Sequence, residues 1–356
     1  MDSVDHDPCH FSRLNLDVLK NICDTIAEDP VDGDMVKSFD GLSKTNHLLR
    51  ELSLPALFRT IAIRGSWDNA LKRLTGRQDC AALTRHTRIF KVDLFMADKQ
   101  QGPPEDLAPA LAKRLAQMPQ LQKLVLVVPE HHTDVFAKTF SESDIVLPAV
   151  HTLVVGPYCD FAVRLCPNVT AIANNGWNAL HATRGDRPPL QHTCDLIVAA
   201  GSAHRLESLE IMEWWRVDLV EAIHDSVPHL KRLALDSGSY KNGIESFLPT
   251  LSRLTGLEYL ALGPASKLDV GFNPPRCGNV YRGPRGQEVR ERVDLKRQVA
   301  ERKVAAMVAN ACPRLKDLWI GDSPHVEVVR DKNGVVENCV MHRVQKRDEI
   351  VQYPRP

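Results

Sequence analysis

A short apolar pattern that recurs along the chain constrains its fold more than any other feature. Between Pro119 and Leu126, an apolar residue is followed by two variable positions, a second apolar residue, one variable position and a third apolar residue. The second and third apolar residues stand two apart, so in a β-strand their side chains point to the same face. The pattern therefore predicts a short strand with one buried face.

The pattern occurs in eight full copies, and a weaker copy stands at Val169/Ile172. The full copies are Phe58/Ile61/Ile63, Ile89/Val92/Leu94, Leu121/Leu124/Leu126, Val150/Leu153/Val155, Leu206/Leu209/Ile211, Leu230/Leu233/Leu235, Leu257/Leu260/Leu262 and Leu315/Leu318/Ile320. A proline stands two residues ahead of five copies, at Pro119, Pro148, Pro167, Pro228 and Pro313. We expect each proline to end the preceding helix and to preset the turn into the strand.

This spacing resembles the L-x-x-L-x-L pattern of leucine-rich repeats, in which each repeat adds one short strand to a curved parallel sheet. Successive copies lie 19 to 58 residues apart, whereas regular repeats have a period of about 20–29 residues. Helical stretches alternate with the strands, as in a solenoid. The sequence therefore predicts an irregular α/β leucine-rich-repeat array over residues 61–323, with loop insertions near 174–195 and 263–287.

Both ends of the chain differ from this array. Residues 1–10 are polar and are predicted to be flexible, and three helical segments follow over Asn15–Ala27, Met35–Leu42 and Lys44–Leu57. At the other end, two β-prone runs flank Asn333-Gly334, which is a strong hairpin signal. We expect residues 324–356 to form a hairpin that caps the last strand, followed by a tail.

The N-terminal helices resemble the F-box family, which in fungal proteins often precedes such repeats. The family opens with Leu-Pro-x-Glu-Ile/Val-Leu-x-x-Ile, and this chain reads Leu14-Asn15-Leu16-Asp17-Val18-Leu19-Lys20-Asn21-Ile22. Later family segments resemble Leu42-Ser43-Lys44 and Leu54-Pro55-Ala56-Leu57-Phe58-Arg59. Asn15 replaces the family's proline, and the usual tryptophan of the third helix is missing. The resemblance covers about residues 11–63.

The resemblance implies a helical F-box-like module over residues 11–60 that binds the Skp-type subunit of a cullin ubiquitin ligase. The residues that it assigns to this contact are Leu14, Leu16, Val18, Leu19, Ile22 and Leu42. It further implies that the repeats hold a protein substrate, so that the chain is a non-enzymatic adaptor. Periodicity alone indicates only a binding scaffold, and a leucine-rich scaffold outside any ligase is the alternative.

Composition limits the other classes of partner. Lys plus Arg and Asp plus Glu both number 45, so the formal net charge is zero, which argues against a general nucleic-acid or membrane-surface binder. No run of about 18 apolar residues predicts a membrane span, and the acidic, polar N-terminus is unlike a signal peptide. Nine cysteines without paired spacing fit a reducing compartment. We expect a cytoplasmic or nuclear protein.

Motifs for catalysis and for metal or cofactor binding are missing from the sequence. It contains no G-x-S-x-G, G-x-x-x-x-G-K-[ST] or G-x-G-x-x-G segment. Cysteines and histidines gather at His151, Cys159, Cys166, His181, His192 and Cys194, but without metal-ligand spacing. We expect no enzyme activity, metal or cofactor; a divergent hydrolase in the repeat body is a weaker alternative.

Candidate substrate-binding residues lie on or beside the predicted strands. In a repeat array the variable strand positions face the open side, where exposed aromatic and arginine side chains anchor partners. The candidates are Trp214, Trp215, Lys231, Arg232, Tyr259 and Trp319. Alternatively, one member of the Trp214-Trp215 pair belongs to the hydrophobic core. The basic segment 271–303 is a solvated helix and loop, or alternatively a contact for an acidic partner.

Overall fold

Eleven strands in one sheet, flanked by twelve α-helices, make up the described part of the chain. A computed structural model describes residues 14–28, 35–45, 47–76, 81–95, 102–174, 191–213, 215–236, 242–275, 277–282, 285–321 and 323–343. The fold is mixed α/β, as predicted, and its dominant feature is a long parallel sheet.

The strands and helices have the following bounds. The strands are β1 Thr60–Gly65, β2 Ile89–Leu94, β3 Lys123–Val127, β4 Thr152–Val155, β5 Ala171–Asn174, β6 Ser208–Met212, β7 Arg232–Asp236, β8 Tyr259–Leu262, β9 Asp317–Ile320, β10 His325–Arg330 and β11 Val336–His342. The helices are α1 Leu16–Glu28, α2 Met35–Ser43, α3 His47–Leu57, α4 Trp67–Thr75, α5 Ala81–His86, α6 Leu107–Ala116, α7 Thr133–Glu142, α8 Ala162–Leu165, α9 Gln191–Ala200, α10 Val217–Ser226, α11 Leu248–Leu251 and α12 Gly286–Ala311.

The strands lie in the sheet in their order along the chain. Every pairing from β1 to β9 is parallel. The predicted hairpin is confirmed: β10 and β11 pair antiparallel, and β10 also pairs antiparallel with β9. It closes a tight turn at Gly334, whose φ of 80° favours glycine.

The prolines that precede the strands occupy one recurring turn. The carbonyl before each proline accepts the N–H of the first apolar residue of the pattern, as in Leu121 N to Met118 O at 3.1 Å and Leu315 N to Cys312 O at 3.2 Å. The proline is the second residue of this turn, where its fixed φ is suitable. The same bond forms without proline between Leu206 N and Ala203 O at 2.9 Å. The predicted role of the prolines in the turn is therefore confirmed.

A second recurring contact joins each strand to the one before it. A carbonyl just ahead of one strand accepts two N–H groups from the start of the next strand. Glu207 O, for example, accepts Lys231 N at 3.0 Å and Arg232 N at 2.9 Å. The other carbonyls that do this belong to Arg59, Arg88, Gln122, His151, Thr170, Lys231 and Glu258. These shared carbonyls set the register of all nine parallel strands.

One face of the sheet forms the main core with the helices. The second residue of the pattern copies from β2 onward is fully buried in a row across the strands, from Phe90, Leu124 and Leu153 to Leu260 and Leu318, whereas Ile61 of β1 is half-buried. Helix side chains such as Leu115 belong to the same cluster. Burying such side chains supplies about 1.5–3 kcal/mol each, so this row is a principal source of the array's stability.

The three N-terminal helices pack on one another and lead directly into β1. Leu19, Phe39 and Leu49 are buried between them and are not part of the main core cluster. Asn15 Oδ1 accepts the N–H of Asp17 at 3.2 Å and so caps the N-terminus of α1.

The predicted register of the second pattern copy is wrong by two residues. Phe90 and Val92 are the residues that pair with Leu124 and Leu126, so the copy reads Thr87/Phe90/Val92 instead of Ile89/Val92/Leu94. Thr87 is buried in the place of the first apolar residue, and its hydroxyl donates to Leu83 O at 2.6 Å. Because the hydroxyl of this polar residue is hydrogen-bonded at the end of its own helix, it can take the buried position, and the apolar pattern is not visible in the sequence.

Both predicted insertions contain ordered, packed residues. Residues 191–195 belong to α9, and residues 175–190 lie outside the described residues. Within 263–287, the side chains of Val270 and Phe272 are buried in the main core cluster. Gly286 begins α12. The Gly- and Pro-rich composition of the second segment therefore does not prevent it from packing.

Leu233→Ala is expected to lower the free energy of unfolding by about 2–5 kcal/mol, because it leaves a cavity at a fully buried position of β7. Glu221→Ala on the exposed side of α10 is the control and is expected to change it by less than about 0.5 kcal/mol. Urea denaturation of both variants measures the difference. Equal effects would contradict the assigned core face.

Candidate protein-interaction surface

The face of the sheet that points away from the main core forms a second surface, here called the open face. Strand alternation places on it the residues of β6 to β11 that do not join the main core. They include Ser208, Glu210, Arg232, Ala234, Tyr259, Ala261, Asp317, Trp319, His325, Glu327, Asn338, Val340 and His342. The variable strand positions of β6 to β9, which were expected to face the open side, are thus in register with one another.

Small and β-branched side chains line the floor of the open face. Val125, Val127, Val154 and Ala173 form one buried apolar cluster, and all four are strand residues. Ala234, Tyr259, Ala261 and Trp319 form another, also from strands alone. Glu210 lies between the two clusters in the strand order and is also buried. The floor is therefore mainly apolar, with one carboxylate recessed in it.

Aromatic and histidine rings gather at the hairpin end of the open face. The Arg232 guanidinium lies 4.2 Å from the centre of the Tyr259 ring, which is a cation–π geometry. Trp319 and His325 have ring centres 5.0 Å apart, and His325 and His342 lie 5.8 Å apart and stacked. These flat rings give the end of the sheet a rigid surface.

Each of these histidines is held by a carboxylate. His325 Nε2 lies 2.8 Å from Asp317 Oδ1, and His342 Nε2 lies 3.3 Å from Glu327 Oε2. Asp317 and Glu327 are themselves cross-strand partners. The carboxylates fix the ring orientations from the solvent side, since all four groups are at least partly exposed.

Charged residues of alternating sign line the rim where the strands begin. Glu207, Lys231, Glu258 and Lys316 precede β6, β7, β8 and β9 and are joined by backbone hydrogen bonds. Lys231 Nζ lies 2.6 Å from Glu207 Oε1, and Lys316 Nζ lies 2.8 Å from Glu258 Oε2. The hydrogen bond that Lys231 donates to Glu207 raises the pKa of Lys231, and the hydrogen bond that Glu258 accepts from Lys316 lowers the pKa of Glu258. Lys231 and Glu258 therefore stay charged around neutral pH.

The structure separates the predicted substrate-binding residues into different environments. Lys231 and Arg232 are exposed, and Tyr259 and Trp319 lie in the floor with 6 % and 9 % of their surface exposed. Trp215 is 0 % exposed in the main core, which favours the alternative that one member of the Trp-Trp pair is core. Trp214 lies outside the described residues. Sequence reasoning missed His325 and His342, because only the antiparallel pairing of β9, β10 and β11 brings His325 beside Trp319 and His342 beside His325.

The predicted adaptor-binding residues divide into exposed and buried groups. Leu14, Leu16 and Val18 are between 40 % and 51 % exposed, within five consecutive residues at the start of α1. Leu19 is 1 % exposed and belongs to the small core, and Ile22 and Leu42 are half-buried. Leu48 of α3, which the sequence did not single out, is 43 % exposed. Exposed apolar side chains concentrated on a small helical unit are typical of an interaction site.

A polar cluster that the sequence did not predict lies at the ends of α9 and β6. Glu213 is buried and accepts the Thr193 hydroxyl at 2.9 Å. His192 packs edge-on against Tyr158, with ring centres 5.3 Å apart. Burial lowers the pKa of His192, against the opposing effect of Glu213. The histidine is therefore neutral near pH 7, as a packed ring beside a buried carboxylate.

Three buried cysteines are poorly suited to nucleophilic chemistry. Burial raises the pKa of Cys159, Cys166 and Cys312 to about 12 in each case, so almost no thiolate forms near neutral pH. Among the described residues, no group of three or more His, Cys, Asp or Glu side chains could hold a metal ion. In the same part of the chain, no helix is long and apolar enough to cross a membrane.

Comparison with known proteins identifies no relative. No family model matches the chain, and no curated protein matches it. The assignment of function therefore depends on the two surfaces described above.

Thiol reactivity is expected to follow burial in the native protein. At pH 8, Cys277, which is exposed, should react rapidly with a small alkylating reagent. Cys159, Cys166 and Cys312 should react only on unfolding, because a raised pKa leaves them protonated at that pH and burial blocks access. Peptide mass spectrometry after timed labelling measures each site. Rapid native labelling of Cys312 would contradict the packing of α12.

Proposed function

We propose that the chain is a non-enzymatic substrate-recruiting adaptor of a Skp-cullin-F-box-type ubiquitin ligase. The N-terminal helices bind the Skp-type subunit, and the sheet is a leucine-rich-repeat-like solenoid whose open face holds a protein substrate. The observation that carries the proposal is the exposure of Leu14, Leu16 and Val18 on α1. These are residues that the F-box resemblance assigns to the adaptor contact.

The division of α1 into two sides supports an adaptor contact. Leu19 and Cys23, four residues apart, are buried against the other two helices. Leu16 and Val18 have no such cover among the described residues, although burial of either would be favourable. A helical partner that covers them would gain this apolar area without any change to the small core.

The sheet supports the second role. Strands in sequence order, each begun by the same turn and the same shared carbonyl, are what stacked repeats require. The open face offers recessed aromatic rings between charged rims, which suits a polar protein segment with an aromatic or aliphatic anchor. Its rim contains both signs of charge, so it does not favour nucleic acid or membrane.

The alternative is a repeat-containing interaction scaffold that joins no ligase. The contact of α3 with α5, next to the first strand, favours it in one respect, because helices that pack there have the position of a cap on the array. The two functions share the open face and differ only at α1, so a change at α1 distinguishes them.

Leu16→Asp combined with Val18→Asp is expected to abolish co-purification with a Skp-type subunit, because burial of unpaired carboxylates costs several kcal/mol. The control is Lys20→Asn combined with Asn21→Asp, which changes the charge of α1 equally at exposed polar positions. Leu19 is left intact because it belongs to the core. If the double Asp variant recovers as much Skp-type subunit as the wild type, at an unchanged melting temperature, the result favours the interaction scaffold over the ligase adaptor.

Trp319→Ala and Lys231→Glu are each expected to weaken capture of the protein substrate at least about tenfold, or about 1.4 kcal/mol. The substrate is first identified by affinity purification and mass spectrometry, and the dissociation constant is then measured. Lys138→Glu, on exposed α7, is the control for charge reversal. Adaptor binding should be unchanged.

The basic half of α12 is the competing substrate site. Arg290, Arg292 and Lys296 are exposed, and reversing their charges together leaves the buried part of the helix intact. Loss of capture in that variant, with capture retained in Trp319→Ala, would move the substrate site from the open face to α12.

A further inference from the structure

The two outer edges of the sheet, β1 and β11, differ in how their outward backbone groups are covered. In β1, the carbonyls of Arg59 and Gly65 face β2 and accept N–H groups from it. Alternation therefore turns the carbonyls of Ala62 and Arg64 outward. Side chains of α4 cover both: Arg73 donates to Ala62 O at 3.4 Å, and Asn69 donates to Arg64 O at 3.1 Å.

The outward backbone groups of β11 can be derived from its neighbour. In β10, Val328 N donates to Lys316 O, and Pro324 O accepts Ile320 N, so the even-numbered residues face β9. The odd-numbered ones face β11, where their partners are Asn338, Val340 and His342. The backbones of Glu337, Cys339 and Met341 therefore point away from the sheet.

Little covers this edge in the part of the chain that the structure describes. The N–H of Cys339 bonds to the neighbouring side chain, Asn338 Oδ1, at 2.8 Å, and no other strand or side-chain donor reaches the outward groups there. The strand has seven residues, contains no proline and has an uncharged centre from Asn338 to Met341. Of the devices that normally prevent edge pairing, it has a charged residue near its start, Glu337, and a register shift in its pairing with β10 at Val329/Arg330, but both lie outside this centre.

We propose that β11 is a homodimerisation edge, on which the β11 strands of two copies pair antiparallel about a two-fold axis through Val340. This register places Cys339 opposite Met341 of the second copy. Both side chains pack against the main core in the monomer, so the apolar face continues across the axis. Glu337 then stands opposite Arg343 of the second copy, once on each side.

Charge and hydrogen bonding favour this register, and they favour a second copy of the chain as the partner. The opposed outward residues exchange backbone hydrogen bonds, and Asn338 stands opposite His342 on the other face. A register centred on Cys339 would instead place Glu337 against Met341, a carboxylate beside an apolar side chain. A second copy matches the edge residue by residue, which an arbitrary extended peptide does not. The inference does not depend on the proposed function.

The first test is the mass of the full-length protein in solution, by light scattering and sedimentation over a range of concentrations. The wild-type chain is expected to dimerise. Glu337→Arg should weaken the dimer at least about tenfold, because it sets like charges opposite each other twice. Adding Arg343→Glu should restore it. The proposal would be overturned if the wild-type chain is a monomer at every concentration. The edge would then be covered by another part of the chain or bind a different partner.

The charge exchange needs a folding control. Burial raises the pKa of Glu301 on α12, and Arg297 and Arg343 oppose that shift, so Arg343→Glu removes an attraction within the monomer. The melting temperature of Arg343→Glu alone measures that loss. A doubly exchanged variant that melts like Arg343→Glu but stays monomeric counts against the proposed register.

Disulfide cross-linking tests the axis independently. Directly opposed residues in a non-hydrogen-bonded pair have Cα atoms about 4.5 Å apart, within the range that a disulfide spans. Val340→Cys in a Cys339→Ala background should give a covalent dimer on mild oxidation. Val335→Cys, exposed just before β11, is the control and should not. A dimer that cross-links in the wild type through Cys339, and not through Val340→Cys, would overturn the register.

Discussion

One backbone contact, the carbonyl that accepts two N–H groups from the next strand, determines most of this structure. It occurs at every parallel step from β1 to β9. Because the two donors are consecutive residues at the start of a strand, the contact leaves that strand a single register against its neighbour. Leu209, Leu233 and Leu260 then align as one buried row, although the loops between them differ in length. The register of the sheet is therefore independent of the spacing of the repeats.

The same contact aligns the side chains of the candidate surface in rows across the strands. Residues that carry the shared carbonyls stack on one another, so Glu207, Lys231, Glu258 and Lys316 meet as pairs of opposite charge although they are far apart in sequence. One strand position further in, the row is polar and aromatic, with Arg232 over Tyr259. Two residues further along the strands, the row contains the small, buried side chains of Ala234 and Ala261. The open face is thus graded from a charged rim to an apolar floor.

The sequence predicted this framework because its signals are local. Proline at a turn and leucines at fixed spacing reveal the strands, and Asn333-Gly334 reveals the hairpin. What escaped prediction depends on individual side-chain contacts that the apolar pattern does not encode, some of them distant in sequence. Thr87 replaces an apolar residue because Leu83 O satisfies its hydroxyl, and Asn174 does so because Met212 N and O bond to its amide, at 2.7 and 3.2 Å.

The site was predicted less completely than the fold, for the same reason. Trp319 is recognisable on its strand, but His325 reaches it only because β10 runs antiparallel. The burial of Trp215 depends on which side of β6 the chain passes after Met212, and no local pattern encodes that choice. On α1, the F-box resemblance assigned Leu16 and Leu19 to the same contact, whereas the packing of three helices buries Leu19 and leaves Leu16 exposed.

The arrangement of surfaces along the sheet relates the proposed roles to one another. The N-terminal helices adjoin β1 and the candidate dimer edge is β11, at opposite ends of the strand order. Ten steps between strands at about 4.8 Å give roughly 48 Å along the sheet. A dimer formed through β11 would therefore leave both sets of N-terminal helices accessible, with two open faces in one continuous sheet. Such a dimer presents each binding surface twice, so a partner with two copies of a recognised segment gains from the raised effective concentration of the second site. Weak contacts at each open face are then sufficient for stable capture, which accords with a floor whose aromatic anchors are recessed.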